Sequence, residues 1–318
     1  MTTFIIRRSL QSVVVLLLVS LMVFLTMRLL PGDPILMYMT MRDVEGSSQE
    51  QIDNIRKEFG LDKPVMVQYL RWVSGAVRGD LGTSILNRSS VSAELKRRVP
   101  ITFYLTFLSL LLSVVVSIPL GVISAMRRGS WLDTLVTTVA NMGVTVPVFW
   151  LGILLVYVFG LILKWLPVFG YTSPFTNFWV SLKQVVMPVF CLAVFSIASS
   201  MRQTRSSMLE VIRQDYIRTA RAKGLKERVI VMRHALKNAM IPVVTLTGMT
   251  VRYLFGGAVL VETVFNIPGM GRMTVDGILA QDYPVVQGAV LVIAVTILLS
   301  NLIVDLSYGW LDPRIRYD

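Results

Sequence analysis

The stretch Asp215-Tyr216-Ile217-Arg218-Thr219-Ala220-Arg221-Ala222-Lys223-Gly224 lies in the middle of a charged segment, residues 202–237, between two apolar runs. A simple reversal needs only a few residues, so a segment of 36 is read as a structure of its own. Asp215 is placed as an N-cap, Tyr216 to Lys223 are good helix formers with cations in the last turn, and Gly224 stands where a left-handed C′ residue belongs. The spacing predicts a separate helix of about two turns, about 12 Å long. Such a helix is unstable alone in water, because nucleation costs more than two turns return. It needs a surface to dock on. Tyr216, Thr219, Ala220 and Lys223 form a small, apolar stripe suited to close approach, while Arg218, Arg221 and Lys223 suit an acidic rim.

Before this stretch, Met208, Leu209, Val211 and Ile212 recur at three- and four-residue spacing and carry the preceding run into water as a helix. After it, Lys226 to Lys237 forms another helical stretch, whose Val229, Ile230, Met232 and Leu236 lead to Pro242. Residues 202–237 hold ten Lys and Arg against three Asp and Glu, a net +7. A solvated loop held by anionic lipid accounts for that charge. It does not account for the cap, the glycine stop or the stripe.

The chain of 318 residues is 54% hydrophobic and 16% charged, with a mean hydropathy of +0.66. Soluble domains carry about a quarter charged residues, so too little polar surface is present to wet a globule. Six runs approach or exceed the length of about 20 residues that an apolar helix needs to cross a bilayer. They are Ser9–Met27, Pro100–Met126, Thr134–Leu163, Gln184–Met201, Asn238–Val261 and Tyr283–Val304, and only the fifth holds a charge, Arg252. The first run follows Arg7 and Arg8, but it is too long for a signal peptide and no Ala-x-Ala site follows, so it is read as a retained helix. The expected fold is an all-α membrane protein with six transmembrane helices.

Lys and Arg decide the orientation. With the N-terminus in the cytoplasm, Arg7 and Arg8, Arg127 and Arg128, residues 202–237, and Arg314 and Arg316 all fall on the inner side, as do both termini. The outer side takes Leu166–Leu182, which has no charge, and Glu262–Asp282, which has one Arg and three acids. It also takes the long segment Arg28–Val99. There, Pro31-Gly32-Asp33-Pro34 is read as a turn, Ser48–Phe59 as an amphipathic helix with Ile52, Ile55 and Phe59 on one stripe, and Gly60 as its stop. Tyr69, Trp72 and Val73 suit a helix resting on the headgroups, and Gly79-Asp80-Leu81-Gly82 ends it. The segment is either a packed cap over the span ends or a contact for a partner.

The 31 Lys and Arg against 19 Asp and Glu give a net +12, but they cluster between apolar runs and form no continuous basic face. Their partners are therefore membrane lipid and proteins docked at the inner surface, not nucleic acid. The single Cys191 excludes a disulfide framework, a thiolate metal cluster and a CxxC pair, and the single His234 argues against zinc and a histidine triad. No metal site is expected.

Asp215 to Leu225, followed by His234-Ala235-Leu236-Lys237-Asn238-Ala239-Met240-Ile241-Pro242, resembles the inner-loop signature of ABC importer permeases. More narrowly, the Arg-Thr-Ala-Arg-Ala-Lys-Gly form at 218–224 is similar to the dipeptide, oligopeptide and nickel permease group. The general signature, Glu-Ala-Ala, three residues, Gly, nine residues, Ile-x-Leu-Pro, is only partly kept: Ala220, Gly224 and Leu236 match, while Arg218, Thr219, His234 and Lys237 depart. Pro31-Gly32-Asp33-Pro34, Gly79-Asp80-Leu81-Gly82, Glu262 through Gly271, Asp282-Tyr283-Pro284 and Asp312-Pro313-Arg314 extend the resemblance over nearly the whole chain in order. The resemblance implies a type I ABC importer permease of a prokaryotic plasma membrane, with the helix 215–224 seated in a cleft of a cytoplasmic ATPase. It further implies a second homologous permease, two ATPase subunits that bind ATP and Mg, and an extracytoplasmic substrate-binding protein. This chain itself would hold no cofactor and would be no enzyme. Residues 1–93 would be the first helix with its outer segment, 94–311 a five-helix permease core with the coupling loop 202–237, and 312–318 a cytoplasmic tail. Di- and oligopeptides are the expected cargo; nickel chelates and oligosaccharides share the pattern.

An ionisable residue inside a span faces a partner or a wet cavity, or snorkels. Arg252 shares a stripe with Thr245, Gly248, Gly256 and Val259 and lies nearer the outer end of its run. Two readings stand: it reaches outward, with Glu262 or Asp282 as partner, or it offers a bidentate donor to a substrate carboxylate. Pro147, Pro188, Gly248, Gly256 and Gly257 are places where spans bend or pack closely. Pro268, Gly269, Met270 and Gly271 are placed as an outer gate. A secondary transporter or channel is the rival reading, but the apolar runs hold no Asp or Glu for ion coupling. No Gly-x-x-x-x-Gly-Lys-Ser/Thr is present, so energy must come from another chain.

Overall fold

A computed structural model describes the backbone of residues 2–41 and 49–311 and the side chains of 6–40 and 49–304. Ser48 and the tail 312–318 with its Asp312-Pro313-Arg314 lie outside those limits. Helices dominate, and among the described residues the only β feature is an isolated bridge between Thr83 and Ser90. Among the described residues five helices are long and apolar enough to cross a bilayer: Ile6–Leu29, Val91–Met126, Phe178–Val211, Glu227–Val264 and Tyr283–Val304. The expected third span, Thr134–Leu163, is not one rod. It is a pair, Trp131–Thr145 and Val148–Ile162, bent by 106°. Pro147 lacks the N–H that the previous turn would bond and pushes the residue before it out of the helical region. Val146 is accordingly extended, at φ −74° and ψ 124°.

The chain divides into two compact units, residues 1–103 with 268–298 and residues 104–267 with 299–317. In the first, Pro31–Asp33 turns the chain into a short helix, Pro34–Met41, that sequence reading missed. Asp33 anchors it: one carboxylate oxygen accepts the Ile35 N–H at 2.8 Å and the other pairs with Arg56 at 2.5 Å. Two further helices follow, Gln49–Glu58 and Val65–Val77. Tyr69 and Trp72 pack against the first span. Their rings lie 5.2 and 6.3 Å from that of Phe24 in the first span, and the Tyr69 hydroxyl meets Ser20 Oγ at 2.9 Å. Met66, Leu70 and Val77 remain exposed on the same helix. Leu81, Val91, Leu95, Met270, Met273, Val285 and Ala289 form a buried cluster. Asp282 closes that end of the unit by accepting from Ser84 Oγ and from the Ile85 and Leu86 N–H groups.

In the second unit, Phe178–Val211 packs against Leu236–Val264 and against Trp131–Thr145. Phe195 stacks on Tyr253 at 4.1 Å between ring centres. Pro188 sits within Phe178–Val211 and Pro242 within Leu236–Val264, and neither ends its helix. The closest crossing is at Gly121, where a Cβ would stand 2.6 Å from Thr204 Cβ and 2.8 Å from the Met201 carbonyl oxygen. Backbone cannot yield there, so Gly121→Leu should cost about 1–3 kcal/mol as an overpacked contact. Gly256, whose Cβ would meet nothing within 4 Å, should accept Ala with no loss of chain stability. Thermal unfolding of the two purified variants in one detergent checks the contrast; equal melting temperatures would contradict the crossing.

Candidate functional site

The predicted short helix is present as Asp215–Ala222. Gln214, not Asp215, occupies the N-cap, in extended conformation and without a side-chain cap bond. Asp215 is instead the first helical residue, where its carboxylate suits the positive helix end and pairs with Arg218 at 3.2 Å. At the other end Gly224 takes φ +73°. Its N–H donates to the Arg221 carbonyl at 2.9 Å and the Leu225 N–H to the Ala220 carbonyl at 3.3 Å, the paired bonds of a Schellman stop.

The face that docks differs from the stripe read in the sequence. Ile217, fully buried, and Ala220 are the covered residues, while Tyr216, Thr219 and Lys223 are exposed. The covering surface is the chain's own: Ala125, Met208, Ile230, Val231, Ala235 and Ala239, flanked by Val122, Leu209, Val211, Ile212 and Leu236. The platform is thus made from the ends of Val91–Met126 and Phe178–Val211 and from the start of the helix that follows. That start includes a π-helical stretch, Ile230–Ala235. Two polar ties fix the helix further. Asn238 Nδ2 donates to the Tyr216 hydroxyl at 2.8 Å, and Arg221 grips Glu227 through two bonds of 2.8 and 3.3 Å. The Glu227 carboxylate raises the Arg221 pKa above its ordinary value, chiefly through those hydrogen bonds. Left open are Arg218, Thr219, Ala222 and Lys223, together with Arg213, Lys226 and Arg228.

Next to this platform is a clasp that sequence reading missed. Asp133, nearly buried in the first turn of Trp131–Thr145, receives Arg205 Nε and Nη2 at 2.8 and 2.9 Å. Ser124 Oγ and the Gly129 N–H also donate to it. Ser130 caps the helix by accepting the Asp133 N–H. One carboxylate therefore joins three helix ends, and its partners Ser124 and Arg205 lie within a turn of platform residues Ala125 and Met208.

Gly248 and Gly256 lie one turn before and after Arg252 on Leu236–Val264, and Arg252 is exposed in this chain. Asp282, in the other unit, accepts from the 84–86 segment, and Glu262 is buried ten residues on, about 15 Å along the helix. Pro147 occupies the bend. Where the Val148–Leu155 helix meets Leu236–Val264, the close contact is at Gly152, whose Cβ would stand 3.2 Å from Val264 Cγ1. Pro268-Gly269-Met270-Gly271 begins a helix, Met270–Leu279, with Gly269 at its N-cap. Met270 is buried and its N–H donates to Thr102 Oγ1 at 2.9 Å. Among the described residues no cluster of His, Cys, Asp and Glu is arranged to hold a metal ion.

Comparison with known families then identifies the chain. Residues 117–317 fit the profile of the binding-protein-dependent transport system inner membrane component, and residues 1–106 fit the N-terminal profile of the same systems. The chain belongs to that family of ABC importer permeases. The permease is 42% identical over 319 residues to a putative peptide transport system permease protein of Brucella abortus, with 100% of each chain covered. It is 39% identical over 320 residues, again with full coverage of both, to the oligopeptide transport system permease protein AppB of Bacillus subtilis. A chain of the inward-facing MetNI methionine ABC transporter shares its fold, with a TM-score of 0.54 at 21% identity, covering 69% of this permease and 96% of that chain. The permease is a multi-pass protein of the bacterial plasma membrane, with the type I ABC importer permease fold.

Removing one partner of a buried ion pair leaves the other charge uncompensated, which costs about 3 kcal/mol or more. Asp133→Asn should therefore lower the permease's unfolding free energy by about that amount. Asp133→Asn combined with Arg205→Met should recover part of it. Detergent-solubilised unfolding of the four proteins of the cycle measures the coupling, and simple additivity would show the clasp to be inert.

Proposed function

We propose that this permease forms a translocation path with a second homologous permease and imports di- and oligopeptides, driven by two cytoplasmic ATPase subunits through the helix Asp215–Ala222. The observation that carries this reading is the division of that helix into two faces. Ile217 and Ala220 hold it on the ends of the spans, while Arg218, Thr219, Ala222 and Lys223 face away from the chain. A helix glued on one side and open on the other is suited to take a push and pass it on. ATP and Mg belong to the ATPases, and this chain holds no cofactor and performs no catalysis. A substrate-binding protein delivers cargo on the opposite side. Both termini and the loop 202–237 lie in the cytoplasm in this reading, which the distribution of Lys and Arg supports. Peptide cargo is favoured over nickel chelates and oligosaccharides because the relatives of full length are named for peptide transport.

In this reading Arg252, bordered by Gly248 and Gly256, faces the path and holds a peptide carboxylate. The bend at Pro147 allows the path to change sides, and the start of the helix at Pro268 to Gly271 closes its outer end. The rival, a secondary transporter, has no need of an ATPase.

Val at position 224 cannot hold φ +73° without a steric cost of about 1–2 kcal/mol. Gly224→Val should thus abolish peptide uptake and ATPase association while membrane insertion is unchanged, and Gly224→Asn, which tolerates the left-handed region, should retain both. Normal uptake by Gly224→Val in proteoliposomes would refute coupling through this helix. Arg252→Met should weaken transport of a peptide with a free C-terminus about tenfold, as expected for loss of a charge-assisted hydrogen bond, and leave its amidated form unchanged. Equal loss for both peptides would remove Arg252 from carboxylate recognition.

A further inference from the structure

A groove of about 650 Å³ lies within the second unit, between the Val91–Met126 helix, the arm Val148–Ile162 beyond the bend, and the Phe178–Val211 helix. Every residue that lines it is Leu, Val, Met or Phe. Its walls are uncovered: Leu111 and Val115 on one side and Val186 and Phe190 on the other are 42% to 59% exposed. Such a groove in a membrane span can take cargo, a neighbouring helix or hydrocarbon. Peptide cargo does not suit it, because no lining side chain can pair with a peptide's polar groups. A neighbouring helix packs through Gly, Ala, Ser or Thr, which let two backbones approach, and none of these lines the groove. Flexible hydrocarbon, which conforms to the gaps between large side chains, is the filling that fits.

One end of the groove adds a headgroup preference. Trp179, Lys183, Val186 and Phe190 follow one another at spacings of four, three and four, so they share a stripe of the Phe178–Val211 helix with Leu182, another lining residue. Trp179 and Lys183 are exposed and stand just before the uncharged run that begins at Gln184, where hydrocarbon gives way to headgroups. A long helical side chain leans toward the N-terminus of its helix, which carries the Lys183 ammonium toward the membrane surface. Val186 and Phe190 stay deeper, Phe190 about 16 Å along the helix from Trp179. Lys183 makes no ion pair among the described residues. We infer that the groove holds an acyl chain of an anionic phospholipid, with Lys183 beside the lipid phosphate and Trp179 at the level of the glycerol. The chain lies against Phe159, so the bound lipid touches the arm that follows the bend at Pro147. The site stands whatever the cargo is.

The test uses the full-length permease, alone and assembled with its partner subunits, in phosphatidylcholine vesicles holding a small fraction of phosphatidylglycerol with a diazirine in its acyl chain. After irradiation the labelled peptides are mapped by mass spectrometry. Labels should concentrate on residues 108–115 and 182–190, and a phosphatidylcholine probe with the same chain should label them about fivefold less. Lys183→Gln should lower labelling by the anionic probe about fivefold, and Lys183→Arg should keep it. Val186→Trp, which fills the groove from an exposed position, should lower it at least tenfold with an unchanged melting temperature. Arg7→Gln, at the start of the first span, should label as the parent does. Equal labelling by the two headgroups, or labelling unchanged in both Lys183→Gln and Val186→Trp, overturns the assignment. Labelling of the isolated permease that disappears in the assembled transporter would give the groove to the companion permease, and that also overturns it.

Discussion

Eight residues cannot sustain a helix in water, because the first turn fixes three residues for a single hydrogen bond. Asp215–Ala222 exists because Ile217 and Ala220 are removed from water by side chains that belong to three other helices. Everything distinctive about this side of the permease follows from meeting that requirement. The preceding span must run on to Val211 to bring Met208 beneath the helix, and the next must begin as early as Glu227 to bring Ile230, Val231 and Ala235. Gly224 must reverse the chain between them, and it does so in the left-handed conformation with both stop bonds made. The platform and the helix it buries form one packed cluster.

The Asp133 clasp extends that rigidity. A carboxylate with four donors around it is well satisfied, and its bidentate grip on Arg205 sets an orientation as well as a distance. Because Ser124 and Arg205 are close in sequence to Ala125 and Met208, the clasp links the platform to the start of Trp131–Thr145. That helix leads into the 106° bend at Pro147. A stiff end followed by a break without hydrogen-bond continuity is a mechanical sequence suited to converting a push into a change of angle.

The sequence made the spans legible because an uncharged apolar run of bilayer length is rarely stable anywhere but across a bilayer. The short helix was legible too, since its glycine stop and isolation from the spans are local signals. Its docking face was not. A two-turn stripe containing Ala220 predicts burial of that residue, but the choice between Tyr216 and Ile217 beside it depends on where Met208 and Ile230 arrive. Asp133 was hidden for a similar reason: three residues after Ser130 it reads as an ordinary first-turn acid, and Arg205, 72 residues away, as one of ten basic residues in its segment. Pro147 announced a bend without its angle. Tyr69 and Trp72 are amphipathic rings at helical spacing, and their contact with Phe24 depends on where the first span arrives, which no local signal gives.

The central claim is that the two faces of Asp215–Ala222 do different things, one held by the permease and the other seated on an ATPase. It is tested most directly by placing a single cysteine at each of four positions, 217, 218, 220 and 222, in the assembled transporter, where Cys191 is buried and out of reach. With a short bifunctional maleimide, cysteines replacing Arg218 and Ala222 should cross-link to the ATPase subunit, and those replacing Ile217 and Ala220 should not. Cross-linking from all four alike, or from none in a complex that still transports, would contradict the account.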